Sequence, residues 1–288
     1  MIIDRLYDSV EKNGHVCVGL DTAVEYLPVS LVKSSKSVEQ AMLRFNQEII
    51  DATLDVASCY KVQIAYYEAL GVKGMQLYKD TLDYLRSKNA IIIADIKRGD
   101  ISKTAEMYAK AHFQGDFESD FITLSPYMGL DGIEPYLPYV ANKEKGLFVL
   151  VRTSNKGAAD IQYIDTASNT KVYNEVGRKI QELGNRYLGD CGYSSIGGVV
   201  GCTHGKEGME LRKSLDKMFF LIPGYGAQGG TAEDVALYLK AGNGGVVNSS
   251  RGILLAYRKD QAGESRFAEC SRAEAVRMRD DILKAVNK

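Results

Sequence analysis

A chain of 288 residues that is 45% apolar and 25% charged has an ordinary globular composition, and only five prolines exclude a collagen-like or disordered chain. Thirty-six basic against 37 acidic residues leave a net charge of −1, so no bulk positive field attracts nucleic acid or an anionic membrane. Any anionic ligand must therefore be held by a local site.

The first residues, Met-Ile-Ile-Asp-Arg-Leu-Tyr-Asp, carry acids where a signal peptide needs an apolar core. No run approaches the roughly 18 apolar residues of a membrane span, and the cytoplasm is the expected compartment. A first apolar run rich in β-branched residues covers 15–21. A stretch with helical spacing follows at 38–54, where Ala41, Phe45, Ile49 and Ala52 share a face. The second run, 59–65, precedes a helical stretch at 71–88 built on Met75, Tyr78, Leu82 and Leu85. The third run, 90–97, precedes a helix at 102–113; the fourth, 121–125, precedes a weaker helical pattern at 132–140. The fifth run, 146–154, is separated from its helix at 171–188 by the chain's longest gap, 155–170, whose length marks it as functional, as an active-site lid would be, or as disordered. Runs six (195–203), seven (219–224) and eight (245–250) alternate with a weak helical pattern at 206–215, a helix at 232–241 and a last helix at 271–286.

Most of these runs lack strict alternation, as strands buried on both faces do in a parallel sheet. Eight β-α units close naturally into a single-domain (β/α)8 barrel, the TIM barrel, over residues 1–288. An open doubly wound sheet is the alternative. No repeat, low-complexity tract or linker divides the chain. Cysteines 17, 59, 191, 202 and 270 are odd in number and widely spaced, without Cys-x-x-Cys, which argues against a disulfide framework or structural zinc. Three dispersed histidines supply a His-based metal centre or a Ser-His-Asp triad poorly.

Barrel chemistry sits at the C-terminal strand ends, and here those ends are polar. Run one ends in Asp21, run two carries Lys61, and run three ends Asp95-Ile-Lys97 followed by Arg-Gly-Asp100. Asp95 and Lys97, two apart on a strand, point to one face, the lumen or its mouth. Asp100 can cap the helix starting near Ile101, or fold over this barrel's mouth or a neighbouring subunit's. In the latter cases Lys97 lies between two carboxylates, which favour its ammonium form and make it a proton donor rather than a Schiff-base nucleophile. After run seven, Pro223-Gly-Tyr-Gly-Ala-Gln-Gly-Gly230 frees backbone N–H groups for an anion, and the helix from about Thr231 points its N-terminus there. Arg251, just past run eight, can add a bidentate phosphate contact. A sugar-phosphate lyase or aldolase, and a non-catalytic phosphate-binding protein, remain open on these residues; the latter would not need Asp95, Lys97 and Asp100 together.

Nearly the whole chain resembles the orotidine 5′-phosphate decarboxylase family. The resemblance rests on Val18-Gly-Leu-Asp21, Tyr60-Lys-Val-Gln-Ile-Ala65, Ala94-Asp-Ile-Lys-Arg-Gly-Asp-Ile101, Ser125-Pro-Tyr-Met-Gly129, Arg152-Thr-Ser-Asn155, the 223–230 loop and Ser250-Arg-Gly252. The long loop after run five resembles the longer bacterial branch. Asp-x-Lys-x-x-Asp is shared with sugar-phosphate relatives; Lys61 and Gly-Ala-Gln-Gly-Gly favour the nucleotide enzyme. Ile96 and Lys156 depart from the expected small residue and proline. The resemblance implies removal of CO2 from C6 of orotidine 5′-monophosphate to give UMP, with neither metal nor organic cofactor. It implies that Lys97 stabilises and protonates the C6 carbanion, that Asp95 faces the departing CO2, and that Lys61 completes the charged network. Asp21 is implied as a ribose ligand, Ser154 as the pyrimidine contact, and Gln228 with Arg251 as the phosphate grip. Asp100 and Thr104 are implied to act across the interface of a homodimer.

Overall fold

The computed structural model describes residues 1–202, 205–226, 229–260 and 263–287. Eight parallel strands close in sequence order into a barrel: β1 Val16–Leu20, β2 Cys59–Gln63, β3 Ile92–Arg98, β4 Phe121–Leu124, β5 Gly146–Arg152, β6 Ser194–Val200, β7 Met218–Pro223 and β8 Gly245–Ser249. The closure is the β1–β8 pairing, with Val16 opposite Val247. Each strand lies at one of the eight expected apolar runs, and the open-sheet alternative is excluded.

Alternation sorts the strand side chains into two layers. Val18, Tyr60, Ile92, Ile122, Leu147, Ile196, Phe220 and Val247 face outward into the core between sheet and helices. Cys17, Cys59, Ile93, Phe121, Phe148, Val199, Phe219, Leu221 and Val246 fill the lumen. Both layers exclude water, which explains the continuous apolar runs.

The helix Ile2–Asn13 was not anticipated from the sequence. Its buried Ile2, Ile3, Leu6 and Val10 join the lumen cluster and plug the N-terminal end of the barrel. That leaves the C-terminal end as the open mouth. Helices Val38–Thr53, Gly71–Ser87, Ser102–Phe113, Val172–Gly184 and Gly205–Ser214 fall where the apolar spacing placed them. Three expected segments differ. The last helix begins earlier, at Phe267, whose ring stacks on Phe45 with centroids 4.9 Å apart. The helix expected over 232–241 ends at Leu237, because Lys240 and Asn243 pair across a turn in which Ala241 and Gly242 have positive φ. The 132–140 stretch breaks into short 3-10 turns before a helix at Leu137–Ala141.

Candidate active site

The mouth chemistry begins with register. β2 places Lys61 beside Gly19 of β1, and β3 places Asp95 beside Gln63 of β2. Lys61 Nζ donates to Asp21 Oδ1 at 3.0 Å and to Asp95 Oδ2 at 2.9 Å. Gln63 Nε2 donates to the same Asp95 oxygen at 2.8 Å. The other oxygen, Oδ1, accepts from Lys97 Nζ at 2.5 Å and from Thr123 Oγ1 at 2.9 Å. Asp95 is therefore a buried carboxylate with a donor set on each oxygen.

The electrostatics follow from this packing. Burial alone would raise the Asp95 carboxyl pKa, but the ammonium groups of Lys61 and Lys97 outweigh it and hold it far below the ordinary carboxylate range. Burial alone would push Lys61 toward its neutral amine; Asp21 and Asp95 reverse that and raise its pKa. The apolar lumen layer lies directly beneath these ion pairs, where low polarity strengthens each one.

A cavity of about 230 Å³ opens over the array. Lys61, Asp95, Lys97, Thr123, Ser154, Asn155 and Asn248 line it with polar groups, and Leu150, Val199, Leu221 and Pro223 add apolar surface. Gly19 makes part of this arrangement possible, since a Cβ there would run into Ser250 Oγ and Asn248 Oδ1. Gly201 does the same for Ser154, whose Cβ would lie 2.9 Å from a Cβ on that glycine.

Of the residues expected from sequence, Asp21, Lys61, Asp95 and Lys97 meet in one network, and Ser154 shares its cavity. Arg251 is exposed and opens the short helix Arg251–Leu254 at the end of β8. Gln228, like Thr203 at the expected end of run six, lies outside the described residues. The flanking Gly224, Gly226 and Gly229 all have positive φ, as an anion-cradling turn requires. Asp100 does not cap the following helix: Ile101 holds the N-cap position, and among the described residues Asp100 Oδ1 accepts only the adjacent Ile101 N–H at 2.9 Å. Thr104 is exposed and Asp100 half-buried, and among the described residues Lys97 pairs with Asp95 and not with Asp100. Ile96 points outward into the core between sheet and helices, so its bulk does not touch the site. Lys156 is exposed at the start of a 3-10 turn, Lys156–Asp160.

Residues not singled out from the sequence complete the site. Gln63 and Thr123 follow Lys61 and Phe121 at the strand period of two, which was the available signal. Arg152 is fully buried; its Nε lies 3.1 Å from Glu207 Oε2 and donates to Tyr163 Oη at 3.1 Å. Tyr163 in turn donates to Glu207 at 2.6 Å, which fastens the 155–170 segment to the helix after β6. Gln162 anchors the same segment by accepting Thr153 N–H at 2.9 Å.

The sequence matches the family described as Orotidine 5′-phosphate decarboxylase / HUMPS over residues 14–265. It is 66% identical over 284 residues to the orotidine 5′-phosphate decarboxylase of Clostridium kluyveri, covering 99% of this chain and 98% of that one. It is 68% identical over 286 residues to that of Clostridium acetobutylicum, covering 99% and 100%. The fold superimposes on the structure of Leishmania donovani OMP decarboxylase with a TM-score of 0.77 at 26% identity, covering 100% of this chain and 99% of that one.

Proposed function

Because the chain belongs to the orotidine 5′-phosphate decarboxylase / HUMPS family and decarboxylates orotidine 5′-monophosphate to UMP in de novo pyrimidine synthesis, we propose that Lys97 is the ammonium group on which this chemistry turns. Breaking the bond between C6 and the carboxylate leaves an electron pair on C6, a vinyl carbanion with little delocalisation. A fixed cation beside that carbon lowers its energy, and the same N–H then protonates it. The amine left behind recovers its proton from water, so atoms and charge balance. Asp95, held ionised by Lys61, faces the departing carboxylate; mutual repulsion would favour loss of CO2.

The single observation that carries this reading is the Lys97–Asp95–Lys61–Asp21 array at the cavity wall, with Lys97 at its exposed end. In the same reading Asp21 binds ribose hydroxyls, Ser154 the pyrimidine, and Gln228 with Arg251 the phosphate. Binding energy from the remote phosphate then supports catalysis at C6, with the 155–170 segment acting as the lid.

The finer reading of assembly is a homodimer whose partner supplies Asp100 and Thr104 to this site. It is supported by exposed Ile101 and Met107, on the loop and helix that carry Asp100 and Thr104, and by exposed Tyr127 and Met128 on the loop after β4. Five free cysteines fit a reducing, cytoplasmic compartment. No helix among the described residues is long and apolar enough to cross a membrane.

The test follows the fall in orotidine 5′-monophosphate absorbance with excess chelator present, for the wild type and Lys97→Ala. Turnover by the wild type with chelator, and its loss in the variant, supports the reading. A variant that turns over near the wild-type rate overturns the role of Lys97, and chelator-sensitive turnover overturns metal independence.

A further inference from the structure

The bond between β3 and β4 is irregular at the point where the chemistry sits. Ala94 pairs with Ile122 and Arg98 with Leu124, so four residues of β3 advance against two of β4. The surplus forms a bulge, and within it Lys97 adopts φ +44°, a left-handed conformation unusual for a non-glycine residue. The bulge turns the amides of Ile96 and Lys97 out of the regular ladder. Both donate instead to one atom, Thr123 Oγ1, at 3.0 and 2.9 Å.

A hydroxyl has two lone pairs and one proton. Here the two amides take both lone pairs, so the proton has one remaining use, and it goes to Asp95 Oδ1 at 2.9 Å. Oδ1 is the oxygen that also receives Lys97 Nζ. Thr123 thus holds the backbone of Lys97 from behind and the carboxylate partner of its side chain from the front. We propose that Thr123 is a positioning residue of this active site, whose hydroxyl fixes Lys97 and Asp95 in the strained geometry used for the reaction. This rests on the assignment of Lys97 and Asp95 above and adds the group that orients them.

Valine has nearly the shape of threonine and lacks the hydroxyl, so Thr123→Val leaves two buried amides unpaired and removes one donor from Asp95. The expected result is a kcat about 10- to 100-fold lower, the scale of a lost hydrogen bond to a charged group. The KM and the affinity for UMP should stay within about threefold, because remote phosphate and ribose contacts are untouched. Thr123→Ser keeps the hydroxyl and should restore kcat to within about threefold of the wild type. Circular dichroism and thermal melting establish that the variants fold. Should the valine variant fail to fold, Thr123→Cys, with its weak donor and acceptor, takes its place with the same expectation. A folded valine or cysteine variant with wild-type kcat overturns the proposal, as does a serine variant as slow as valine, which would assign the effect to the methyl group. Lys97→Ala in the same assay separates the two readings. If it stays active, the assignment of Lys97 fails; if it is inactive while Thr123→Val is fully active, only the role of Thr123 fails.

Discussion

Lys97 Nζ lies 2.5 Å from Asp95 Oδ1, yet the lysine side chain is 46% exposed and the aspartate 8%. The two ends of one ion pair thus have different neighbours: the carboxylate is enclosed by protein donors and the ammonium faces the cavity. Removing the exposed end should leave the fold intact, since Lys61, Gln63 and Thr123 still satisfy Asp95. Lys97→Ala should therefore melt near the wild-type temperature. Its kcat should fall by several powers of ten, because one preorganised donor is worth about 10²–10³ and this residue has two roles. Single-turnover decay of orotidine 5′-monophosphate measures it; a loss within about tenfold, or only about 1.4 kcal/mol of barrier, contradicts the assignment.

Removal of the buried lysine behaves differently. Lys61 is enclosed and neutralises both Asp21 and Asp95. Lys61→Met leaves the buried Asp95 carboxylate without its buried cation, a loss of about 3–5 kcal/mol for breaking a buried pair. Urea unfolding at neutral pH should show that loss, whereas Lys97→Ala should not. Equal stability of the two variants would mean that burial of the array contributes little.

What was legible in the sequence follows from period. Asp95 and Lys97 are two apart on one strand, and a period of two places both in the lumen whatever the rest of the chain does. The eight strands were legible because each is apolar on both faces. The helix Ile2–Asn13 was not, although Ile2, Leu6 and Val10 are four apart: a short helix gains its stability from packing, here from the barrel floor it plugs. Thr123 was hidden for a related reason. Its role arises from a mismatch between two strands, and neither strand's sequence alone displays a bulge. A helix cap was one of the roles the sequence left open for Asp100, but the helix starts at Ser102, which takes φ +50°, and Ile101 holds the N-cap position.

The phosphate end offers an independent measurement. Arg251 is exposed and opens its helix, so Arg251→Ala should fold normally. Loss of one charged hydrogen bond, about 1.5–3 kcal/mol, should weaken UMP binding about 10- to 150-fold by calorimetry. Guanidinium added in solution should restore part of the activity. Unchanged UMP affinity would place the phosphate elsewhere.

Stability should also depend on His112. Burial, helped by the nearby Arg98 charge, pushes its imidazole down to about 4 from an ordinary value of about 6.5. In the unfolded chain the ring protonates as pH falls through about 6.5; in the folded protein it stays neutral until about 4. Its contribution is therefore fully present above about 6.5 and lost as pH falls toward 4, by about 3 kcal/mol at most. His15, also buried and lowered, acts in the same direction. Urea titrations across this window should show a shallower pH slope for His112→Gln than for the wild type. An unchanged slope would mean that the ring titrates normally.

The last prediction concerns assembly. Asp100 is half-buried, and among the described residues its carboxylate accepts only the adjacent amide, while Ile101, Met107, Tyr127 and Met128 expose apolar surface on its own loop and helix and on the loop after β4. If a second copy covers that surface by two-fold symmetry, each Asp100 serves its neighbour's Lys97. Lys97→Ala and Asp100→Ala chains should each be inactive alone. When they are mixed and exchanged, about half the dimers are heterodimers, each with one site carrying both lesions and one carrying neither, so about one quarter of all sites should recover. If both residues acted within one chain, no intact site could form and activity would stay at the parental level. Mass measurement of the mixture establishes that exchange has occurred. Exchange without recovery would mean that Asp100 serves its own barrel, and the two-chain site would be wrong.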